Sequence, residues 1–116
     1  MNNVELGKEM EILAAKYLET VRGWRVLARR VRFREGEIDL IMETPSGELR
    51  FVEVKGRRSK LFGDVRESVT AKKVQRLRRA IGRWRAESKD RRPGQLFFVG
   101  IFEEANGVLS VDEWTE

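Results

Sequence analysis

The segment that most constrains the fold is residues 96–102, which read LFFVGIF and carry no charged or polar side chain. An apolar run of this kind, without alternation, is typical of an interior strand that is buried on both faces of its sheet. We therefore expect helices on both sides of a central sheet. The chain has 116 residues, which is enough for one small domain. The prediction is a single α/β domain over residues 1–116.

Hydrophobic periodicity and turn signals divide the rest of the chain into two helices and four further strands. Apolar residues at intervals of three and four predict a helix over 4–21, ended by Gly23, and a second helix over 70–87. Four strands are predicted over 24–33, 37–43, 49–55 and 108–111, in addition to the interior strand over 96–102. The helix between the third and fourth strands permits a parallel crossover, so we expect a mixed sheet.

The composition excludes several kinds of active site, because the chain has no Cys and no His. Disulfides, thiolate metal sites, a cysteine nucleophile, histidine metal ligands and a Ser-His-Asp triad are all ruled out. Any catalysis must use carboxylates, Lys, Arg, Tyr or hydroxyls, and any metal must bind to oxygen.

The sequence also indicates where the protein acts. No apolar run approaches the roughly 20 residues that a membrane span needs. The first ten residues, MNNVELGKEM, lack the basic start and the apolar core of a signal peptide. We therefore expect a cytoplasmic protein that does not bind membranes.

Positive charge is concentrated in one part of the chain. Residues 55–92 carry 15 Lys or Arg and 4 Asp or Glu, a net charge of +11, whereas the rest of the chain carries 9 basic and 15 acidic residues. A segregated basic segment is typical of a protein that binds a polyanion such as nucleic acid. The alternative is a solvated helix face with an excess of arginine.

The second predicted helix carries much of this charge. Its apolar stripe consists of Val74, Leu77, Ile81 and Trp84. Its other faces include Lys72, Lys73, Arg76, Arg79 and Arg83. We expect these five basic residues to bind a phosphate backbone, since arginine can grip a phosphate with two parallel hydrogen bonds.

One carboxylate stands inside an apolar strand. Asp39 interrupts the apolar run 38–42, and aspartate is a poor strand former. Strand alternation places Glu37 and Asp39 on one face, and Ile38 and Leu40 on the other. This pattern makes Asp39 a candidate for a functional role.

A second unusual carboxylate occurs in the next strand. Glu53 lies between Val52 and Val54 and shares a face with Lys55. If the hairpin aligns the two strands, Asp39, Glu53 and Lys55 converge. Two carboxylates beside a lysine can hold a hard divalent cation on oxygen. The alternative is a structural ion pair between Glu53 and Lys55, with Asp39 at a strand edge.

Two motifs of the chain resemble a known signature. Residues 36–41 read GEIDLI and residues 51–57 read FVEVKGR. They resemble the paired signature of the bacterial YraN family, also called UPF0102, which is similar to the PD-(D/E)xK nuclease superfamily. Segments 11–18 (EILAAKYL), Phe62-Gly63 and 69–73 (VTAKK) resemble other parts of the family.

The resemblance implies a restriction-endonuclease-like fold and a DNA endonuclease that depends on Mg²⁺ or Mn²⁺ and acts on branched DNA. Asp39 and Glu53 would be metal ligands, and Lys55 would be the catalytic lysine. Arg57 and Arg58, which follow the motif, would contact phosphate or belong to a solvated loop. Related resolvases act as dimers, so the resemblance also implies a homodimer.

The resemblance assigns a glutamate of the first helix to the same acidic cluster. Glu11 fits this role, because a glutamate stands three residues before an alanine in the family's opening helix. Met10 occupies the place of a family glycine, and Glu9 is a nearby competitor for the role.

Two other classes of function compete with the nuclease. The first is a nucleic-acid-binding module without catalytic activity on the same scaffold. The second is a protein-interaction module that binds an acidic partner through its basic helix. The interaction module explains the charge but leaves the carboxylates in the strands unexplained.

Overall fold

The computed structural model of the chain describes residues 3–57, 69–103 and 109–115. Within these ranges the elements follow one another in the predicted order. Their bounds are α1 Asn3–Arg22, β1 Arg25–Arg32, β2 Glu37–Glu43, β3 Leu49–Arg57, α2 Ala71–Ser88, β4 Gly94–Glu103 and β5 Leu109–Thr115. Arg58 and Phe62-Gly63 lie outside the described residues, and Arg57 is the last residue of β3.

The five strands form one sheet in the order β1-β2-β3-β4-β5. β3 and β4 pair in parallel, and the other three neighbouring pairs are antiparallel. α2 lies between β3 and β4 in the chain and provides the crossover that a parallel pair needs. The prediction of a mixed sheet is confirmed.

Each face of the sheet is covered by one helix. On one face α1 packs with alternate strand residues, including Leu40, Val52, Phe97 and Val99. On the other face α2 packs with Ile41, Phe51, Leu96 and Phe98. β4 therefore contributes apolar side chains to both layers, as its unbroken apolar sequence predicts. The α/β class, with a central mixed sheet flanked by helices, is confirmed.

α1 lies close to β3, and this closeness depends on a glycine. A Cβ atom at Gly56 would overlap with Cγ of Met10. Met10 is 5% exposed and belongs to the apolar layer under α1. Because Gly56 has no side chain, α1 can approach the strand that carries Glu53 and Lys55.

The helix boundaries follow from local chemistry. α1 ends before Gly23, whose φ of +67° is the left-handed conformation that glycine adopts readily. α2 begins after Thr70, whose side chain accepts a hydrogen bond from the Lys73 amide at 3.2 Å. Neither helix, as far as the structure describes them, is long and apolar enough to cross a membrane.

The last strand is longer than the sequence predicts. β5 extends to Thr115 and pairs with β4 as far as Phe97. Trp114 stacks on Phe98 with 5.3 Å between the ring centroids. The local sequence pattern does not reveal this packing against β4. The predicted strand over 108–111 therefore ends earlier than the observed one.

Candidate metal centre

The ladder between β2 and β3 stops where the candidate site begins. In the described part of the chain, the last Cα pair on this side is Leu40 with Val52. β1 continues to pair with β2 beyond this point, since Val31 lies opposite Ile38. β2 therefore leaves β3 at Asp39 while it stays attached to β1.

Where the ladder between β2 and β3 stops, the side chain of Asp39 provides a hydrogen-bond acceptor for β3. Its Oδ2 atom accepts a hydrogen bond from the Val54 amide at 2.8 Å.

The separation of β2 from β3 also changes the face of the sheet on which Ile38 lies. Ile38 packs with Ile41 in the layer under α2, whereas Leu40 packs under α1. The prediction that Ile38 shares a face with Leu40 is wrong, because the regular alternation of the strand is interrupted at Asp39.

Three carboxylates meet at the split between the strands. One oxygen each from Glu11 of α1 and from Glu37 and Asp39 of β2 lie within 4.8 Å of one another. Two oxygen ligands of one divalent cation lie at most about 5 Å apart, because each bond measures about 2.0–2.6 Å. The three carboxylates, which we call the acidic cluster, are therefore close enough to share a cation.

Glu53 approaches the acidic cluster from β3 without being one of its three members. Its side chain is 8% exposed, and its charge acts on the nearby carboxylate of Asp39. Lys73 Nζ lies 3.3 Å and Lys55 Nζ lies 4.0 Å from Glu53 Oε1. The structure thus brings Asp39, Glu53 and Lys55 together and adds Lys73 from α2.

Burial and crowding change the proton affinity of these carboxylates. The pKa of Asp39 is raised to about 7 by burial and by the neighbouring charge of Glu53. Burial also raises the pKa of Glu11, although Arg30, which donates a hydrogen bond to Glu11 at 2.7 Å, opposes this shift. Burial raises the pKa of Glu53, although the positive charges of Lys73 and Lys55 oppose this shift.

A cleft of about 530 Å³ opens between Glu37 and Asp39 of the acidic cluster and the start of α2, whereas Glu11 lines a separate cavity beside α1. It is lined by Gly36, Glu37, Asp39, Glu53, Thr70, Lys72, Lys73, Arg76 and Leu77. One wall is acidic, and the opposite wall, at the start of α2, is basic. The cleft therefore presents sites for a cation and for an anion within one concave surface.

The basic residues predicted on α2 divide into two groups. Three of them line the cleft, namely Lys72, Lys73 and Arg76. Arg79 is exposed and does not line the cleft. Arg83 is paired with acids, Glu35 at 3.1 Å and Glu87 at 2.8 Å. The cleft thus contains only the first part of the predicted basic face.

Glu37 is the candidate ligand that the sequence analysis missed. It lies two residues before Asp39, and strand alternation already placed both on one face. Its surface pair with Arg32, at 3.2 Å, is exposed. Of the two helix candidates, Glu11 belongs to the acidic cluster, whereas Glu9 is exposed.

The raised pKa of Asp39 generates a prediction about stability. Asp39→Asn should stabilise the metal-free protein, and more so at pH 8 than at pH 5. Asn keeps an oxygen for the Val54 amide but cannot ionise. The pKa of Asp39 is about 7 when folded against an ordinary value of 3.8, so wild-type stability falls as pH rises between these values.

We expect the gain from the substitution to grow by about 1–3 kcal/mol between pH 5 and pH 8. Urea unfolding in EDTA at both pH values measures it. As a control, Glu19→Gln on the exposed side of α1 should show no such growth. An equal gain at both pH values would mean that Asp39 ionises normally in the folded protein.

Comparisons with known proteins place the chain in a family. The sequence profile of the family described as "Uncharacterised protein family UPF0102" matches residues 10–100. A UPF0102 protein from Mycobacterium sp. (strain KMS) is 47% identical over 87 residues, which cover 74% of this chain and 64% of the relative. A UPF0102 protein from Symbiobacterium thermophilum is 51% identical over 74 residues, which cover 64% of this chain and 61% of the relative.

These matches span slightly less than two thirds of both relatives. Among solved structures, the chain is similar to Pyrococcus furiosus SfsA in complex with Ca²⁺, with 15% identity and a TM-score of 0.41 over 97% of this chain and 64% of that one. The family profile covers most of the chain, and the predicted resemblance to UPF0102 is confirmed. The chain belongs to the UPF0102 family.

Proposed function

We propose that the protein is a nuclease that depends on a divalent metal and hydrolyses phosphodiester bonds of DNA, with a preference for branched substrates. The observation that carries the proposal is the acidic cluster at the edge of a cleft whose opposite wall is basic. Such an enzyme needs acidic groups for a cation beside basic groups for a phosphate backbone. The likeness of the motifs to those of PD-(D/E)xK nucleases supports the same reaction class.

The donor atoms of the acidic cluster fit Mg²⁺ or Mn²⁺. Glu11, Glu37 and Asp39 offer carboxylate oxygens, which are the ligands that these hard cations prefer. The raised pKa values of Asp39 and Glu11 indicate that the metal-free cluster holds more negative charge than its surroundings stabilise. A bound cation would supply Lewis acidity toward a phosphoryl group and toward water.

The two lysines beside Glu53 are suited to act on the reacting phosphate. Burial lowers the pKa of Lys55, and the neighbouring Lys73 lowers it further. Glu53 lies within 4.0 Å of both ammonium groups and restrains them. In the proposed reaction Lys55 orients the attacking water or stabilises negative charge that develops on the phosphate.

The start of α2 supplies the binding surface for the DNA backbone. Lys72 and Lys73 stand in the first turn, where the positive end of the helix dipole makes cations unfavourable. Lys73 already has Glu53 as an acidic partner, whereas the position of Lys72 is easier to explain if an anion binds there. Arg76 extends the same wall by one turn. We propose that these residues hold phosphates on one side of the reacting bond.

Cleavage assays test the nuclease most simply. Labelled flap, four-way junction, single-stranded and duplex DNA are incubated with Mg²⁺, with Mn²⁺ and with EDTA. We expect metal-dependent cleavage, fastest on a branched substrate. Lys55→Ala should reduce the rate at least about 100-fold, while DNA affinity stays within about threefold because one phosphate contact at most is lost.

The matched control is Lys16→Ala, which removes an exposed lysine of α1 and should cleave at the wild-type rate. A Lys55→Ala variant with the wild-type rate would exclude Lys55 from the reaction. Metal-independent binding without cleavage of any substrate would contradict the nuclease and favour the alternative, a nucleic-acid-binding module.

The basic wall of the cleft generates a separate prediction about affinity. Lys72→Glu together with Arg76→Glu should weaken DNA binding and reduce the slope of log affinity against log salt by roughly 0.9 for each lost phosphate contact. α2 should persist, because Glu is as good a helix former as Lys or Arg. Fluorescence anisotropy at several salt concentrations measures the slope.

The control for this experiment carries the same change in charge outside the cleft. Arg78→Glu with Arg79→Glu alters two exposed residues of α2 that do not line it. This control should reduce the slope less than the cleft variant does. Equal effects would show that DNA responds to net charge alone and does not enter the cleft.

A further inference from the structure

Arg30 has an unusual backbone conformation within β1. Its φ is +49°, a value that residues other than glycine rarely adopt. Within the described strands it is the one non-glycine residue with a positive φ. Such strained positions persist where the surrounding structure requires them, and they cluster at functional sites.

The strained conformation changes the direction of the Arg30 side chain. Ala28 and Val31 both pack in the layer under α2, although regular alternation would put residues three apart on opposite faces. The consecutive residues Arg29 and Arg30 both line a cavity of about 260 Å³ beside α1. The interruption at Arg30 therefore directs its side chain toward α1 and returns Val31 to the other layer.

On this side, Arg30 reaches a member of the acidic cluster. Its Nε atom donates a hydrogen bond to Glu11 Oε2 at 2.7 Å. The two side chains are 28% and 13% exposed, so the pair is less solvated than the surface pair of Arg32 with Glu37, whose side chains are 68% and 36% exposed. A charge-assisted hydrogen bond in such surroundings fixes the rotamer of the carboxylate.

We propose that Arg30 is a positioning residue of the metal centre, whose guanidinium holds the Glu11 carboxylate against Glu37 and Asp39. The inference rests on the proposed metal site. Partners that fix a metal-ligating carboxylate from outside typically change metal affinity 10–100-fold when they are removed. The backbone strain at Arg30 is then explained as the condition that lets β1 place a guanidinium behind Glu11.

The test measures Mn²⁺ affinity by calorimetry in the full chain. Arg30→Gly removes the guanidinium and also relieves the backbone strain, since glycine adopts positive φ readily. We expect at least tenfold weaker Mn²⁺ binding with an unchanged or higher melting temperature. Arg30→Asn, which also tolerates this conformation, should show the same loss, and Arg30→Lys should recover part of the affinity.

Chemical rescue distinguishes positioning from a general effect on structure. Guanidinium chloride at about 20 mM, far below denaturing concentrations, should restore part of the affinity of Arg30→Gly, whereas the same concentration of KCl should not. The control Arg29→Ala removes the adjacent exposed charge and should change the affinity less than threefold.

The possible failures can be told apart. If the wild type does not bind Mn²⁺, the proposed metal site is wrong, and the role of Arg30 is wrong with it. If the wild type binds and Arg30→Gly binds equally well or more tightly, the metal site stands and the positioning role is overturned. Tighter binding in that variant would show that the guanidinium competes with the cation for Glu11.

Discussion

The hydrogen bond from the Val54 amide to the Asp39 carboxylate is the interaction on which the candidate site depends. A strand that leaves its neighbour exposes backbone amides that still need acceptors. Asp39 supplies one, and by doing so it is held in a half-buried position beside β3. If β2 instead continued its ladder with β3, the gap that admits Glu11 and Glu37 would close. The raised pKa of Asp39 shows that this arrangement disfavours the charged form of its carboxylate.

Separate donors hold the carboxylates around this gap from outside. Besides the amide on Asp39, Arg30 of β1 binds Glu11, and Lys73 of α2 approaches Glu53. The donors come from different elements, so the site forms only when both helices have packed on the sheet. The oxygens that face inward are carboxylate oxygens, which is why a hard divalent cation is the ligand that the chemistry favours.

The strand pattern predicts much of this arrangement, because alternation and hairpin pairing are local rules. They place Glu53 and Lys55 on one face and bring Asp39 near them, as the structure shows. They also place Glu37 in phase with Asp39, although its nearness to Glu11 depends on how α1 packs. The basic face of α2 was predicted from helical periodicity and charge, and tertiary packing decides that Lys73 lies beside Glu53.

Other features could not be predicted, because they break the local rules. Nothing in the sequence around Arg30 indicates a left-handed backbone, which is usually a position for glycine or asparagine. Ile38 changes face because β2 separates from β3 at Asp39, and periodicity assumes an unbroken ladder. Both exceptions lie beside the acidic cluster, where the geometry of the site overrides local backbone and strand preferences.

The most direct test of the metal centre is anomalous X-ray diffraction from crystals soaked in Mn²⁺. We expect one strong anomalous peak within about 2.0–2.6 Å of carboxylate oxygens from Glu11, Glu37 and Asp39. The peak should disappear in crystals of Asp39→Asn whose fold is unchanged. A peak elsewhere, or no peak at a Mn²⁺ concentration that saturates ordinary carboxylate sites, would contradict a metal centre built on these three residues.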